Sequence, residues 1–313
     1  LFHYLCSSYF PMSSSGPKQA THSWLNTFPL LVLPPLLWAG NFVVGRAVRD
    51  DIPPMSLSFG RWVIALLIIL PFAWKLMQRD WRLYWQHRWL VIGTGIVGVA
   101  SFNTLIYAGL HSTTTNNALL LNSCIPVLIV MMGCLFYRQK LELMQVLGLS
   151  ISLIGVLTII LHGDLSRLLQ LAFNPGDILV FTAMVCWAFY TLWVKAIPAS
   201  INRTGLMGAQ IIIAILCLLP FCLWELSTGA QIVWRTESIL ALAYVGILPS
   251  VVAYLLYTFA VARVGPVRAG LSIHLMPVFG VLLSALFLDE RIHTYHLIGI
   301  SAIAIGLVLS NRK

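Results

Sequence analysis

The sequence predicts an all-α integral membrane protein, with ten transmembrane helices arranged as two inverted five-helix repeats. Three observations carry this expectation. The first is composition: of 313 residues, 59% are hydrophobic and only 9% charged, with a mean hydropathy of +0.89. A soluble domain holds about 25% charged residues, and each helical span needs roughly twenty apolar residues, so the chain has room for about ten. The second is a duplication. The stretch from Ala118 to about Ile159 returns from Ala269 to about Ser310, 151 residues later, with Pro126 on Pro277, Gly148 on Gly299, Ser150 on Ser301 and Gly155 on Gly306. The third is parity. Five spans per repeat is an odd number, so the second copy must enter the bilayer upside down relative to the first.

Taken in order, the expected spans are 29–48, 54–74, 89–110, 114–136 and 143–161, then 176–196, 204–224, 237–260, 267–288 and 294–310. Pro53-Pro54, Asn174-Pro175-Gly176 and Gly265-Pro266 stand where spans two, six and nine begin, as proline favours the first helical turn. The domain reading is a segment 1–28, a first repeat 29–161, a linker 162–175, a second repeat 176–310 and a tail 311–313. Residues 1–11, ahead of Met12, are set aside from fold reasoning. The repeat reaches back into the earlier spans. At an offset of 149, Trp38-Ala39 falls on Trp187-Ala188, Arg46 on Lys195 and Pro71-Phe72 on Pro220-Phe221; at 150, Tyr107 falls on Tyr257. Pro126 and Pro277 are expected to bend their helices, because proline withholds a backbone donor, and to act as hinges.

Charge sets the expected orientation. With the N-terminus inside, thirteen Lys and Arg, including Lys75, Arg79, Arg82, Arg88, Arg138, Lys140, Arg263 and Arg268, lie in inner segments, against five in outer ones (Arg46, Arg49, Arg167, Arg235 and Arg291). Both termini are therefore expected in the cytoplasm, in a plasma membrane. This bias and the attraction of anionic headgroups account for the net charge of +9, with no nucleic acid partner. The basic segment Lys75–Arg88, with Trp81, Trp85 and Trp89 interleaved, reads as an interfacial helix on the cytoplasmic leaflet. Gly93, Gly95 and Gly98 form a GxGxxG inside a span with no preceding strand, which suits close helix packing rather than a nucleotide. Six cysteines without CxxC spacing read as small hydrophobes. No cofactor, metal or ATP-binding motif is expected.

Leu37-Trp38-Ala39-Gly40-Asn41 in span one, Arg61-Trp62 in span two, the Pro126 and Pro277 helices, and Leu288-Asp289-Glu290-Arg291 before the Gly299…Gly306 helix occur here in one order. Together they resemble an EamA-type member of the drug/metabolite transporter superfamily, over nearly all of the chain from Phe28 to Asn311. Gln139 departs from the pattern, standing where the second repeat has Glu290. The resemblance implies export of small metabolites, often amino acids or amphipathic drugs, by alternating access through a central cavity.

Several residues are candidates for that cavity. His274 lies three positions before Pro277, with Ser123 as its repeat mate. Its near-neutral titration would suit a substrate or coupling-proton site; a neutral histidine bonded to a neighbouring helix is the other reading. Asn103 and Ser123 are candidate lining residues within a polar group that includes Asn116, Asn117 and Asn122. That group would otherwise serve as interhelical glue. Trp38 and Trp187 sit midway along their spans, and with Tyr254 and Tyr257 they suit an aromatic wall for apolar or cationic groups. Arg46 and Lys195 read as snorkelling to the interface. Arg61 could hold a carboxylate, but its place early in span two favours the membrane boundary. No Asp or Glu falls mid-span, so a carboxylate proton relay has no residue to run on.

The leading expectation is a secondary transporter exporting small amphipathic molecules, with a small-molecule substrate and the bilayer as its partners; the sequence does not fix the oligomeric state. A sugar-phosphate or lipid-linked sugar transporter of the same fold is the alternative, weakened by the shortage of cavity cations. A membrane structural or receptor subunit is the third reading. An intramembrane enzyme lacks its motifs.

Overall fold

The computed structural model describes residues 24–164, 166, 174–287 and 291–311, all helix and connecting turns. Among these, nine helices are long and apolar enough to cross a membrane, and Thr294–Ser310 is a shorter apolar helix. The ten units are labelled α1 (Trp24–Ala47), α2 (Pro54–Gln86), α3 (Arg88–Leu110), α4 (Thr115–Asn122 and Ile125–Tyr137), α5 (Leu143–Ile160), α6 (Pro175–Ala196), α7 (Arg203–Ser227), α8 (Thr236–Val264), α9 (Pro266–Leu271, Ser272–His274 and Leu275–Phe287) and α10 (Thr294–Asn311). The all-α, ten-helix expectation holds. The N-terminal segment to residue 23, most of the 162–175 linker, the Leu288-Asp289-Glu290 motif and the tail from Arg312 lie outside the described residues, as do the side chains of Asn116 and Asn311.

Local chemistry starts the helices as the sequence suggests. Pro54, Pro175 and Pro266 each open one. Asn174 caps α6 in a reciprocal box, accepting from the Asp177 backbone N–H while its own N–H donates to the Asp177 carboxylate at 2.9 Å. One expected boundary moved. Span two does not end near residue 74: α2 runs unbroken for 33 residues, about 50 Å at 1.5 Å per residue, well beyond a hydrocarbon core of about 30 Å. The basic, Trp-bearing segment from Lys75 is therefore a continuation of α2 rather than a separate helix. Pro71 is the last Gly or Pro before the helix ends, so nothing interrupts it. Trp81 and Trp85 are exposed on this extension, and Arg88 lies over the rings of Trp85 and Trp89, 5.6 Å from each centroid.

The repeats are inverted in space. α2 packs along its repeat mate α7, and the two run antiparallel because each one's C-terminal end secures the other's N-terminal end. Glu225 near the end of α7 accepts from the Met55 and Ser56 N–H groups (3.0 and 2.8 Å) and from the Ser56 hydroxyl (2.8 Å). Asp80 near the end of α2 accepts from the N–H of Asn202, the N-cap of α7, at 2.8 Å. A carboxylate at a helix N-terminus meets unpaired donors and the positive end of the dipole. We expect Glu225→Ala to destabilise the protein by about 1–3 kcal/mol, the cost of stranding buried donors. Thermal unfolding in detergent measures this; an unchanged transition would remove the clamp from the account.

The mates α5 and α10 also pair antiparallel. Gly148 faces Gly306, and Gly155 faces Gly299, so closely that a Cβ on any of the four would come within 2.5–2.7 Å of the facing glycine's carbonyl oxygen or its neighbours. This is the packing that small residues permit between membrane helices. The GxGxxG glycines serve the same purpose, lying against Trp193, Ile213 and Tyr190.

Irregular backbone falls at matching places in the two repeats. α3 carries a π-helical segment over Gly95–Ser101, and α8 carries one over Leu248–Ala253. α4 is interrupted at Ser123-Cys124, and α9 tightens at Ser272–His274. The irregularity thus lies just ahead of Pro126 and Pro277 rather than at them. Both prolines sit in the first turn of the piece that follows, where a missing N–H costs no helical bond.

Candidate aromatic and cationic site between the repeats

The centre of the molecule is an aromatic cluster drawn from both halves. Trp38 of α1 and Trp187 of α6, equivalent in the duplication, meet edge to face with centroids 5.0 Å apart. Tyr254 and Tyr257 of α8 close around them at 5.2–5.9 Å. All four side chains are buried. Three of the four polar tips are held: Trp38 Nε1 donates to Pro249 O (3.1 Å), Tyr254 OH to Gly98 O (2.9 Å), and Tyr257 OH meets Thr191 Oγ1 at 3.0 Å. Trp187 Nε1 is buried without a partner among the described residues. Pro249 and Gly98 belong to the two π-helical segments. Such segments displace the usual bonding and here turn carbonyls towards the cluster.

Beside the cluster lies a cavity of about 10 Å³, room for about one water molecule. Its walls follow the duplication. Trp38 and Trp187, Asn122 and Ile273, and Ile125 and Met276 are each repeat mates, and all six line it. Asn41 and Asn103 supply its remaining polar wall. The small space therefore sits where the two halves meet, with apolar and amide surfaces on different sides.

Behind that amide wall is Arg61, which is not at a boundary as its early position in span two suggested. It is fully buried. Nε donates to Ser250 Oγ at 2.8 Å, and Nη1 faces Asn103 Oδ1 (2.7 Å), Asn41 Oδ1 (3.3 Å) and Tyr107 OH (2.5 Å). The guanidinium carbon lies 5.0 Å from the Trp62 ring centroid and 5.6 Å from that of Tyr107. These partners are neutral and, beyond Trp62 of its own helix, come from three others, α1 and α3 of the first repeat and α8 of the second.

His274 and Ser123, aligned by the duplication, touch each other. His274 Nε2 lies 3.0 Å from the Ser123 carbonyl, and Nδ1 lies 2.7 Å from Ser152 Oγ. A carbonyl only accepts, so Nε2 carries the ring proton and Nδ1 accepts from the serine. The buried imidazole joins the break in α4, the break in α9 and α5. The Ser123 hydroxyl turns back to Leu120 O at 2.6 Å.

The structure thus brings together Trp38, Asn103, Trp187, Tyr254 and Tyr257, and places Ser123 and His274 in a separate joint. The lining amide of α4 is Asn122, not Ser123. Asn41, Phe42 and Phe102 complete the cavity without having been singled out as lining. Arg46 and Lys195 do not simply snorkel: Arg46 donates to the Leu110 and Thr113 carbonyls, and Lys195 to Ala262 O at 3.3 Å. Both neutralise the C-terminal ends of repeat-equivalent helices, where cations are favoured.

Comparison with known proteins agrees with this architecture. The EamA-like transporter family matches residues 26–161 and again 174–312. The uncharacterized transporter YyaM of Bacillus subtilis (strain 168) is 27% identical, over 92% of this chain and 94% of its own. A probable amino-acid metabolite efflux pump of Escherichia coli (strain K12) is 24% identical over 90% and 93%. A probable terminal-alkyne amino-acid exporter of Streptantibioticus cattleyicolor is 25% identical over 90% and 92%. A crystal structure at 16% identity superposes over 92% of this chain and 96% of its own, with a TM-score of 0.69, sharing the fold.

Proposed function

The chain belongs to the EamA-like transporter family, and on that premise we propose that it is a secondary transporter exporting small amphipathic metabolites, amino-acid-like or drug-like, by alternating access between its repeats. The observation that carries this reading is the cavity walled by repeat mates, with aromatic and amide faces. Two halves of like fold meeting around one site can rock about it with little change inside either half. At about 10 Å³ the site holds no metabolite, so entry requires the halves to part on one side. In this reading Trp38, Trp187 and Asn103 touch the solute, Tyr254 and Tyr257 back them, and the breaks ahead of Pro126 and Pro277 absorb the movement. Efflux and export named for two relatives support the direction and the amino-acid-like class. The basic bias of the inner loops supports cytoplasmic termini, so reporters after Lys313 or within 75–88 should read cytoplasmic and those near 164–170 external.

His274 serves as a joint in this scheme, since both ring nitrogens already hold hydrogen bonds, and transport runs down the solute gradient. Native protein and His274→Gln in proteoliposomes, given a panel of amino acids and drugs with and without a pH gradient, test both points. Solute exchange at equal concentrations is expected in both proteins, and gradient-driven accumulation in neither. Accumulation by the native protein that the variant loses would make His274 the proton carrier. No exchange of any panel member would remove the transport reading.

A further inference from the structure

We propose that Arg61 anchors a carboxylate of the transported solute, so that the site takes an organic monoanion or zwitterion bearing an apolar group; this rests on the transport reading above. A guanidinium has five N–H donors and no acceptor, and it is never neutral in a protein. Within membrane helices such a charge is costly and pairs with an opposite charge or backbone carbonyls, or faces a cavity. Among the described residues no Asp or Glu pairs with Arg61, and its partners are two amides, a phenol and a hydroxyl. The donors are also unevenly used. Nη1, with two hydrogens, faces three acceptors, while Nη2, buried and also with two hydrogens, has none. A carboxylate is the group whose two oxygens match adjacent guanidinium donors.

The surroundings fix where that carboxylate would come from. Asn41 and Asn103, two of the acceptors that hold Nη1, are also the amide wall of the cavity. A solute entering there meets the positive field of Arg61 through one layer of side chain, in surroundings of low dielectric. The duplication supplies no balancing charge. The repeat mate of Arg61 is Gln210, neutral and donating to Thr94 Oγ1 at 2.7 Å. The site therefore has one cationic side, faced by Trp38, Trp187 and Met276 on the apolar side. One guanidinium suits a single negative charge; a phosphate ester would want more cations, and a solute with net positive charge is repelled. Ser250, which holds Nε, belongs to the π-helical segment of α8, so its grip can change as that segment rearranges.

The test uses matched acids and esters on the purified native protein, so it does not depend on a variant folding. The probes are leucine, phenylalanine, tryptophan and 3-phenylpropionate, each beside its methyl ester, read by thermal stabilisation and by counterflow in proteoliposomes. At least one acid is expected to stabilise and exchange, with its ester at least about 30-fold weaker, the scale of one buried charge-assisted pair. Arg61→Gln should remove the acid preference, and Arg61→Lys should keep part of it without the fork. If esters or drugs exchange as well as or better than acids, the anchor is wrong and the transport reading stands. Acids that stabilise the protein without moving would uphold the anchor and overturn transport. If no acid binds, or Arg61→Gln weakens acids and esters equally, Arg61 is only a staple between helices and the proposal fails.

Discussion

Replacing Gly306 with leucine is expected to leave almost no folded protein in the membrane. A Cβ built there comes 2.5 Å from the Gly148 carbonyl oxygen and 2.7 Å from the backbone nitrogen and Cβ of Ser152. These neighbours are mostly backbone, so no side chain can rotate aside. The whole of α10 must move off α5. Overpacking costs about 1–3 kcal/mol where side chains can adjust, and more is expected here. Bilayer tails compete with any apolar contact, so membrane helices depend on close packing to associate. Gly155→Leu should behave alike, since it meets Gly299 O at 2.7 Å. Gly280 provides the contrast: a Cβ there meets nothing within 4 Å, and Gly280→Leu should express normally. Yield and monodispersity after detergent extraction decide the matter. Equal behaviour of Gly306→Leu and Gly280→Leu would show that the glycine contacts do not hold α5 to α10.

Trp187→Ala should have the second largest effect, on both stability and selectivity. Trp187 touches Phe102, Trp38, Tyr190, Tyr254 and Tyr257, with ring centroids 4.4–5.2 Å away. Removing a core aromatic costs about 3–5 kcal/mol when the site cannot collapse, and rings from three other helices keep this one open. The void joins a cavity of only about 10 Å³. We expect a lower unfolding temperature, slower exchange of small apolar solutes, and uptake of bulkier ones that the native protein refuses. A panel graded by size, measured by counterflow, reads this directly. An unaltered size profile in protein that is still folded would place the route elsewhere.

Much of this was legible in the sequence because duplication leaves marks that do not depend on depth or rotation. Pro54, Pro175 and Pro266 open helices, and the four glycines matched by the repeat all lie in one contact, though crosswise, Gly148 on Gly306 and Gly155 on Gly299. Trp38 and Trp187, matched by alignment alone, share a cluster. What failed was reading position from distance along the chain. Arg61 lies a few residues after the Pro53-Pro54 turn, which suggested the headgroup region. Yet α2 is longer than the bilayer is thick, so its start does not mark a fixed depth, and Arg61 is enclosed by α1, α3 and α8. Ser123, a candidate lining residue, lies off the cavity for a related reason. Stripes drawn at 100° per residue hold only while the helix is continuous, and the interruption at Ser123-Cys124 ends that register. Asn122 faces the cavity, and Ser123 contributes its carbonyl to His274.

The contact between Ser123 and His274 has a historical consequence. Residues matched by an inverted duplication can touch only where the pseudo-symmetry axis passes. If a single ancestral half once assembled as an antiparallel homodimer, each axial position met its own copy. The contact is now asymmetric, with the His274 ring on one side and the Ser123 carbonyl on the other. Arg61 and Gln210 tell the same story, since a homodimer with arginine at that position would carry two buried cations in its core. Joining the halves in one chain freed the two copies to diverge, and both departures lie at the centre of the molecule.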